Sequence, residues 1–431
     1  MPKNARPLDR SNPSKPHPEG EDNVSREDAL RLLGVKKATL YTYVSRGWIQ
    51  SFPLDEGRSH VFSRADVERL RARGQARAGT GAVAQAAMHY GEPIITSRIT
   101  EITPEGPRYR GRLAVDLAQQ NAAFETVALW LWTGVWLDDQ VRWNDVPDFK
   151  PAGLAKACEA TDTDDFTKSM ASVVLALGMR TTESEQSSLA ETLAAARRII
   201  QVLSGMLGRL SPRRGYTPVL AGERLSGATL RILGGRAQPE NIAALNAMMV
   251  LCADYELTPA SFAARVVASA GADLYASVSA GLCAHSGLLT GQICDKLTLL
   301  LSGGSGAPKL EQRLDEVRKF GATMYGFNHA LATRGDPRAY WMIERAKALA
   351  LKTPSPVTGR IVRFLEHIRE DFGLYPGLPA GLVTLTAALG LPSRSAAAVW
   401  GIARTAGQIA HVIEQRNAGF VLRPRAMFVS A

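Results

Sequence analysis

From residue 83 onward the chain repeats apolar positions at helical spacing. The runs 186–208, 240–252, 261–283 and 393–416 place apolar residues at i, i+3, i+4 and i+7, which predicts long packed helices. One stretch departs from this rhythm. Residues 93–102 hold β-branched Ile94, Ile95, Thr96, Ile99 and Thr100, and they predict a short strand. No solenoid-length repeat runs through the chain. The expected fold class is therefore mainly α.

The first part of the chain follows another logic. Residues 1–22 are polar and rich in proline, and predict a disordered leader. Residues 23–74 predict a compact unit. Ser25 caps a helix opening at Arg26, with Ala29, Leu32 and Leu33 on its apolar face, and Gly34 ends it. A second helix, 37–46, carries Leu40 and Val44 and stops at Gly47. Residues 49–62 alternate about Asp55-Glu56-Gly57-Arg58, as a β-hairpin does. Ser63 to Asp66 has the form of a capping box and opens a third helix through Arg73. A Gly/Ala/Arg linker, 75–82, follows.

With 431 residues the chain has room for two or three domains and a sizeable core. Net charge is +10, and residues 1–80 carry about half of it, which points to anionic partners for that part. Cys158, Cys252, Cys283 and Cys294 lie far apart with no CxxC pair. Reduced, buried thiols are expected, with no metal site and no disulfide framework. No ~18-residue apolar run and no apolar leader segment occurs. A cytoplasmic protein without a membrane partner is the expectation.

The order helix, turn, helix, hairpin, helix resembles the winged helix-turn-helix of the MerR/excisionase type. Ser25 to Leu30, Gly34 to Tyr41, Arg46 to Ile49 and Phe62 to Val67 carry the likeness. Such a module presents the start of its second helix to base edges. The resemblance implies that Lys36, Lys37, Thr39, Tyr41 and Thr42 face DNA, with Arg46 and Arg58 on phosphates. The alternative is a protein-interaction or vestigial domain with a solvated basic face.

The remainder resembles citrate and methylcitrate synthases over about 340 residues. Tyr109-Arg110-Gly111 matches the family's YRG segment, and Phe124 to Gly134 the helix after it. Ala253-Asp254-Tyr255-Glu256-Leu257 is similar to ADHEL. Ser261 to Tyr275, Gly326-Phe327-Asn328-His329, Gly335-Asp336-Pro337-Arg338-Ala339, Ala403 to Gln415 and Arg423-Pro424-Arg425 follow in family order. The match is weak over 140–235. The resemblance implies a large domain (83–265 and 365–431) and a small one (266–364), preceded by the helix-turn-helix. It implies a homodimer in which each site is completed by the partner's C-terminal segment. It implies a coenzyme A thioester as substrate or ligand, di- or tricarboxylate ligands, and no permanently bound cofactor.

Citrate synthases join an acyl-CoA to oxaloacetate, with a carboxylate base, two histidines and carboxylate-holding arginines. By resemblance, His329 polarises the keto group, and Arg338, Arg404 and Arg423 hold carboxylates, since a guanidinium fork matches a carboxylate. Three positions depart. Thr290 stands where the family has its enolate-stabilising histidine (GPLHGG; here Gly287 to Gln292). Pro379 stands where the catalytic aspartate falls when counted from Tyr375-Pro376. Tyr255 replaces the histidine of ADHEL. A lost base costs ~10²–10⁴-fold and a lost oxyanion donor ~10²–10³-fold.

His285, Asp295 and Glu256 are candidate substitutes, each against a bland alternative as a satisfied or surface residue. His411 and Glu414 read as structural. Two functions follow. One is a citrate-synthase-family acyltransferase or lyase with altered or reduced catalysis. The other is a catalytically inactive, metabolite-sensing DNA-binding regulator. A partner subunit that completes an intact relative through Arg423 is a third.

Overall fold

The structure, a computed structural model, describes residues 23–45, 49–55, 59–68, 70, 95–137, 141–144, 165–180, 188–212, 214–302, 326–329, 331–332 and 334–424. The chain divides into two compact units, 1–96 with 423–431, and 97–422. The expected leader, the 75–82 linker, Arg46, Arg58 and Cys158 lie outside the described residues.

In the first unit, β1 (Asn23–Val24), α1 (Arg26–Leu33), α2 (Lys37–Ser45), β2 (Ser51–Asp55) and β3 (Ser59–Ser63) follow in order. Ser25 accepts the Asp28 N–H at 3.1 Å, and Gly34, at φ +62°, closes α1 onto the Leu30 carbonyl. Gly tolerates this left-handed backbone at little cost. The antiparallel sheet has the order β1-β3-β2. Helical backbone resumes at 64–68. Val24, Ala29, Leu40, Ile49, Phe62 and Val67 form a core of their own.

The second unit opens with an antiparallel sheet, β4 (Thr100–Thr103), β5 (Gly106–Tyr109) and β6 (Arg112–Leu113). The strand thus starts seven residues later than the predicted 93–102 stretch, where pairing with β5 begins. Helices follow: α3 (Ala114–Gln119), α4 (Phe124–Thr133), α5 (Phe166–Gly178), α6 (Leu189–Met206), α7 (Leu225–Ile232), α8 (Pro239–Cys252), α9 (Pro259–Ser269), α10 (Leu274–His285), α11 (Gly291–Ser302), α12 (Pro337–Lys352), α13 (Pro356–Phe372), α14 (Leu378–Ala388) and α15 (Ser395–Ala418). The run 261–283 is two helices and not one. Gly271, at φ +85°, breaks it, and Asp273 caps the second by accepting the Ala276 N–H at 2.7 Å.

The long helix α15 is buried along most of its length and packs against α4, α6, α8, α9, α10, α11 and α14. Small residues make this possible, because helices can approach closely only where side chains are short. Cys252 and Cys294 are buried thiols, whereas Cys283 is exposed, which corrects the expectation for that one. It sits on the solvent side of α10. No helix among the described residues is long and apolar enough to cross a membrane.

Candidate active site

The site is built on a buried carboxylate. Asp254 follows the almost wholly apolar α8 and has no solvent exposure. Such a group must find charged or hydrogen-bonding partners. His411 Nε2 lies 3.4 Å from its Oδ2, and Arg404 Nη1 lies 3.8 Å from its Oδ1, both from α15. Burial works to raise this carboxyl, but His411 and Arg404 reverse the effect and leave it below the ordinary range. The approach depends on Gly407. A Cβ there would stand 2.1 Å from Asp254 Oδ1 and 2.6 Å from the Ala253 carbonyl oxygen. Tyr109 closes the other side, its hydroxyl 3.0 Å from the Val250 carbonyl and 3.3 Å from that of Asp254.

The Asp254 carboxylate also shapes the turn after it. Its Oδ2 accepts the Glu256 N–H at 3.0 Å, and Glu256 takes a positive φ of 57°. Tyr255 is the residue between them, and its ring gathers the predicted binding groups. Arg338 Cζ lies 4.0 Å over the ring and Arg404 Cζ 6.0 Å. The His329 ring stands edge-on at 5.8 Å. Tyr255, His329, Arg338 and Arg404 come from four separate segments and meet at one place.

Arg338 is almost wholly buried in the first turn of α12. Its Nε donates to Asp336 Oδ1 at 3.0 Å and its Nη2 to Oδ2 at 2.7 Å, a bidentate pair. Burial pushes its pKa down, and Asp336 more than restores it, to above the usual arginine range. Arg404 is equally buried, yet its Nη1 has no hydrogen-bond partner. Burial, partly offset by Asp254, lowers its pKa.

His329 is held by backbone. The Asn328 N–H donates to the Tyr375 carbonyl at 3.0 Å, and the Gly377 N–H donates to that of Gly326 at 2.7 Å. His329 Nδ1 accepts the Leu331 N–H at 3.2 Å. The proton of the neutral ring therefore sits on Nε2, which is a donor. Burial lowers the His329 pKa, with Asp336 opposing and Arg338 adding to the shift, which favours this neutral form.

The departures sit elsewhere in chemical terms. The Thr290 hydroxyl is 2.7 Å from the His285 carbonyl and 3.0 Å from that of Gly287, so its proton goes to the end of α10. Pro379 lies in the first turn of α14, where a missing N–H costs nothing. His285 is buried against Trp400 with ring centroids 4.7 Å apart, and its Nε2 has no partner. Burial, with Arg404 adding to it, lowers its pKa to about 3, so it is a neutral core histidine. Asp295 is partly buried, and its burial raises it to about 6.

Glu256 is likewise raised by partial burial, with Asp254 adding to the shift. Glu414 is structural, binding the buried Arg265 at 2.8 Å and the Arg98 N–H at 2.8 Å. In the first unit, Lys36, Lys37, Tyr41 and Thr42 are exposed and Thr39 is half-buried. The Thr42 hydroxyl donates to the Ala38 carbonyl at 2.9 Å. Arg423 is exposed and belongs to that unit's residues. Among the described residues no group of three metal-ligating side chains occurs.

Asp254 and Asp336 were not singled out by sequence reasoning. A carboxylate ending an apolar helix, and one before Pro-Arg at a helix start, were the available signals.

Residues 89–425 match the family described as citrate synthase, C-terminal domain. Citrate synthase 2 of Bacillus subtilis is 24% identical over 351 residues, 77% of this chain and 92% of that protein. The citrate/2-methylcitrate synthase of the same organism is 31% identical over 183 residues, 42% of this chain and 49% of its own. Among solved structures, the citrate synthase of Thermoplasma acidophilum, in a ternary complex with carboxymethyl coenzyme A and oxaloacetate, superposes with a TM-score of 0.69 at 21% identity, over 79% of this chain and 94% of its own. That of Thermotoga maritima does so at 0.64 and 20% identity, over 79% and 94%. With the family match spanning most of its length, the chain belongs to the citrate synthase family.

Proposed function

We propose that the protein is an acyltransferase-like member of its family, condensing an acyl-CoA with oxaloacetate or a related 2-oxoacid, with altered or reduced catalysis. The observation that carries this reading is the meeting of Arg338, Arg404 and a neutral, Nε2-protonated His329 around Tyr255. A guanidinium binds a carboxylate, and an N–H donor polarises a neighbouring keto oxygen. The reduced catalysis rests on Thr290 and Pro379. The Thr290 proton is spent on its own backbone, and proline has no base to offer.

The acyl-CoA is a substrate and not a resident cofactor. A homodimer supplies Arg423 of each chain to the other's site under this reading, and the protein works in the cytoplasm. The citrate-synthase-like part comprises the large (83–265, 365–431) and small (266–364) domains expected from the resemblance. Free thiol released from acetyl-, propionyl- and longer acyl-CoAs with oxaloacetate tests it. Thiol release that is slower than the ~1 s⁻¹ typical of enzymes and abolished by His329→Ala is the expected result. No release with any pair removes it.

A second reading is a metabolite-sensing regulator, favoured by the exposed Lys36 and Lys37 at the start of α2 in a separately packed N-terminal unit. The winged helix-turn-helix resemblance puts these lysines, with Thr39, Tyr41, Thr42, Arg46 and Arg58, on DNA. Salt-sensitive retention of a DNA library, altered by citrate or acyl-CoA, is its mark.

A further inference from the structure

The turn that carries His329 is shaped by the residue before it. Asn328 has a left-handed backbone, at φ +47°. Most side chains resist that region, and Asn is one of the few that enter it readily. Its side chain then reaches the segment leading into α14. Asn328 Oδ1 accepts the Tyr375 N–H at 2.8 Å, while the Asn328 N–H donates to the Tyr375 carbonyl at 3.0 Å. The amide meets an N–H, so its oxygen is the atom that faces Tyr375. Bonds exchanged in both directions between the same two residues close a ring and fix their relative orientation.

This clamp lies within a short zipper. Phe327 and Pro376 form an antiparallel bridge, and the Gly377 N–H donates to the Gly326 carbonyl at 2.7 Å. A Cβ on Gly377 would stand 2.8 Å from the Gly326 carbonyl oxygen, so backbone meets backbone there. On its other side, the Pro376 carbonyl accepts the Asp336 N–H at 2.9 Å. Residues 375–377 thus hold both the His329 turn and Asp336, the carboxylate that grips Arg338. Among these links the Asn328 amide is the one made by a side chain.

We infer that Asn328 is a positioning residue that aligns the His329 imidazole with a bound keto oxygen. Its own amide is engaged with Tyr375, so it acts through His329. The inference rests on the acyl-transfer reading, in which His329 polarises that oxygen, and adds the group that keeps the donor aligned. Alignment matters because a hydrogen bond weakens steeply as its angle closes. It matters most where charge develops on the oxygen. Gly at this position would keep the left-handed backbone and lose the clamp. Asp would keep both, which separates the clamp from the backbone.

Oxaloacetate labelled with ¹³C at its keto carbon tests this in the whole protein without requiring turnover. Bound to the wild type, its resonance is expected downfield of the free acid, as a polarised carbonyl requires. Asn328→Gly loses most of that displacement, and Asn328→Asp restores it. Oxaloacetate binding to Asn328→Gly weakens by ~10-fold at most, the worth of one neutral hydrogen bond. A purely structural role would weaken binding and leave the displacement of the bound acid as it was. Near-ultraviolet circular dichroism checks packing. Should the glycine variant lose it, Asn328→Ser, whose oxygen falls short of Tyr375, takes its place. An unchanged displacement in a folded variant overturns the role of Asn328. A wild-type resonance without downfield displacement also overturns the inference, while thiol release would still carry the acyl-transfer reading. Labelled pyruvate and 2-oxoglutarate are run beside oxaloacetate, and binding of none of the three overturns the inference and that reading together. A displacement that depends on Asn328, without thiol release from any acyl-CoA, keeps the inference and removes acyl transfer.

Discussion

The two halves of the candidate site are built differently. Around Tyr255, Arg338 of α12 and Arg404 of α15 are buried, the first bound to Asp336 and the second 3.8 Å from Asp254. Around Thr290 and Pro379, the same helical scaffold ends in local housekeeping: a hydroxyl closes α10, and a proline opens α14. Buried charges are expensive, so the first half carries a cost that a purely structural bundle would not need. The second half carries none. The proposed reading, with ligand binding kept and proton transfer weakened, rests on this contrast.

The largest effect expected from breaking the binding half comes from Arg338→Met. It strands Asp336 as a buried carboxylate without its cation, which costs about 3–5 kcal/mol. Chemical denaturation measures this. The loss shrinks below the ordinary carboxylate pKa. Asp336 is held low in the wild type by Arg338, so its contribution is present above that range and lost as pH falls through the folded value. A loss under about 1 kcal/mol would make the pair no more than a surface-type ion pair.

Gly407→Ala attacks the same half from beneath. The added methyl meets the Asp254 carboxylate and the Ala253 carbonyl oxygen, and backbone cannot step aside as a long side chain can. A loss of about 3 kcal/mol is expected, the upper end of overpacking. A variant of wild-type stability would show that α8 and α15 do not approach as closely as described.

His285 links the halves, packing on Trp400 while following α10 toward Thr290. Its pKa is about 3 in the fold against an ordinary 6.5. Between these values the unfolded chain binds the extra proton, so stability rises with pH and falls on acidification. The slope is about 1.4 kcal/mol per pH unit. Comparing denaturation at several pH values for wild type and His285→Gln isolates it, and the variant should lack this slope. Equal slopes would mean that the imidazole is reached by solvent.

The family blocks name His329, Arg338 and Arg404 from separate segments, and the structure brings all three to Tyr255. For His329 and Arg338 the motifs lie in a tight turn and at a helix start, where residue type and geometry are linked, whereas Arg404 lies midway along α15. What the chain did not disclose was who pairs with whom. Asp254 and His411 are more than 150 residues apart; helical periodicity marks His411 only as inward-facing, and Asp254 lies just past the end of α8. The apolar spacing of 261–283 continues across Gly271 and predicts one helix, whereas the break depends on backbone alone.

Thr290→Val makes the smallest change and the sharpest test of the contrast. Valine keeps the shape of threonine and removes only the hydroxyl. As a cap, that hydroxyl is worth about 1 kcal/mol, since the carbonyls of His285 and Gly287 would then turn to water or go unpaired. A stability loss of that size with little effect on thiol release per folded molecule is the mark of a cap. An oxyanion donor would instead show a fall of ~10²-fold or more in turnover. Its proton would then have to leave the backbone when ligand binds, and the two halves would differ less than their resting hydrogen bonds imply.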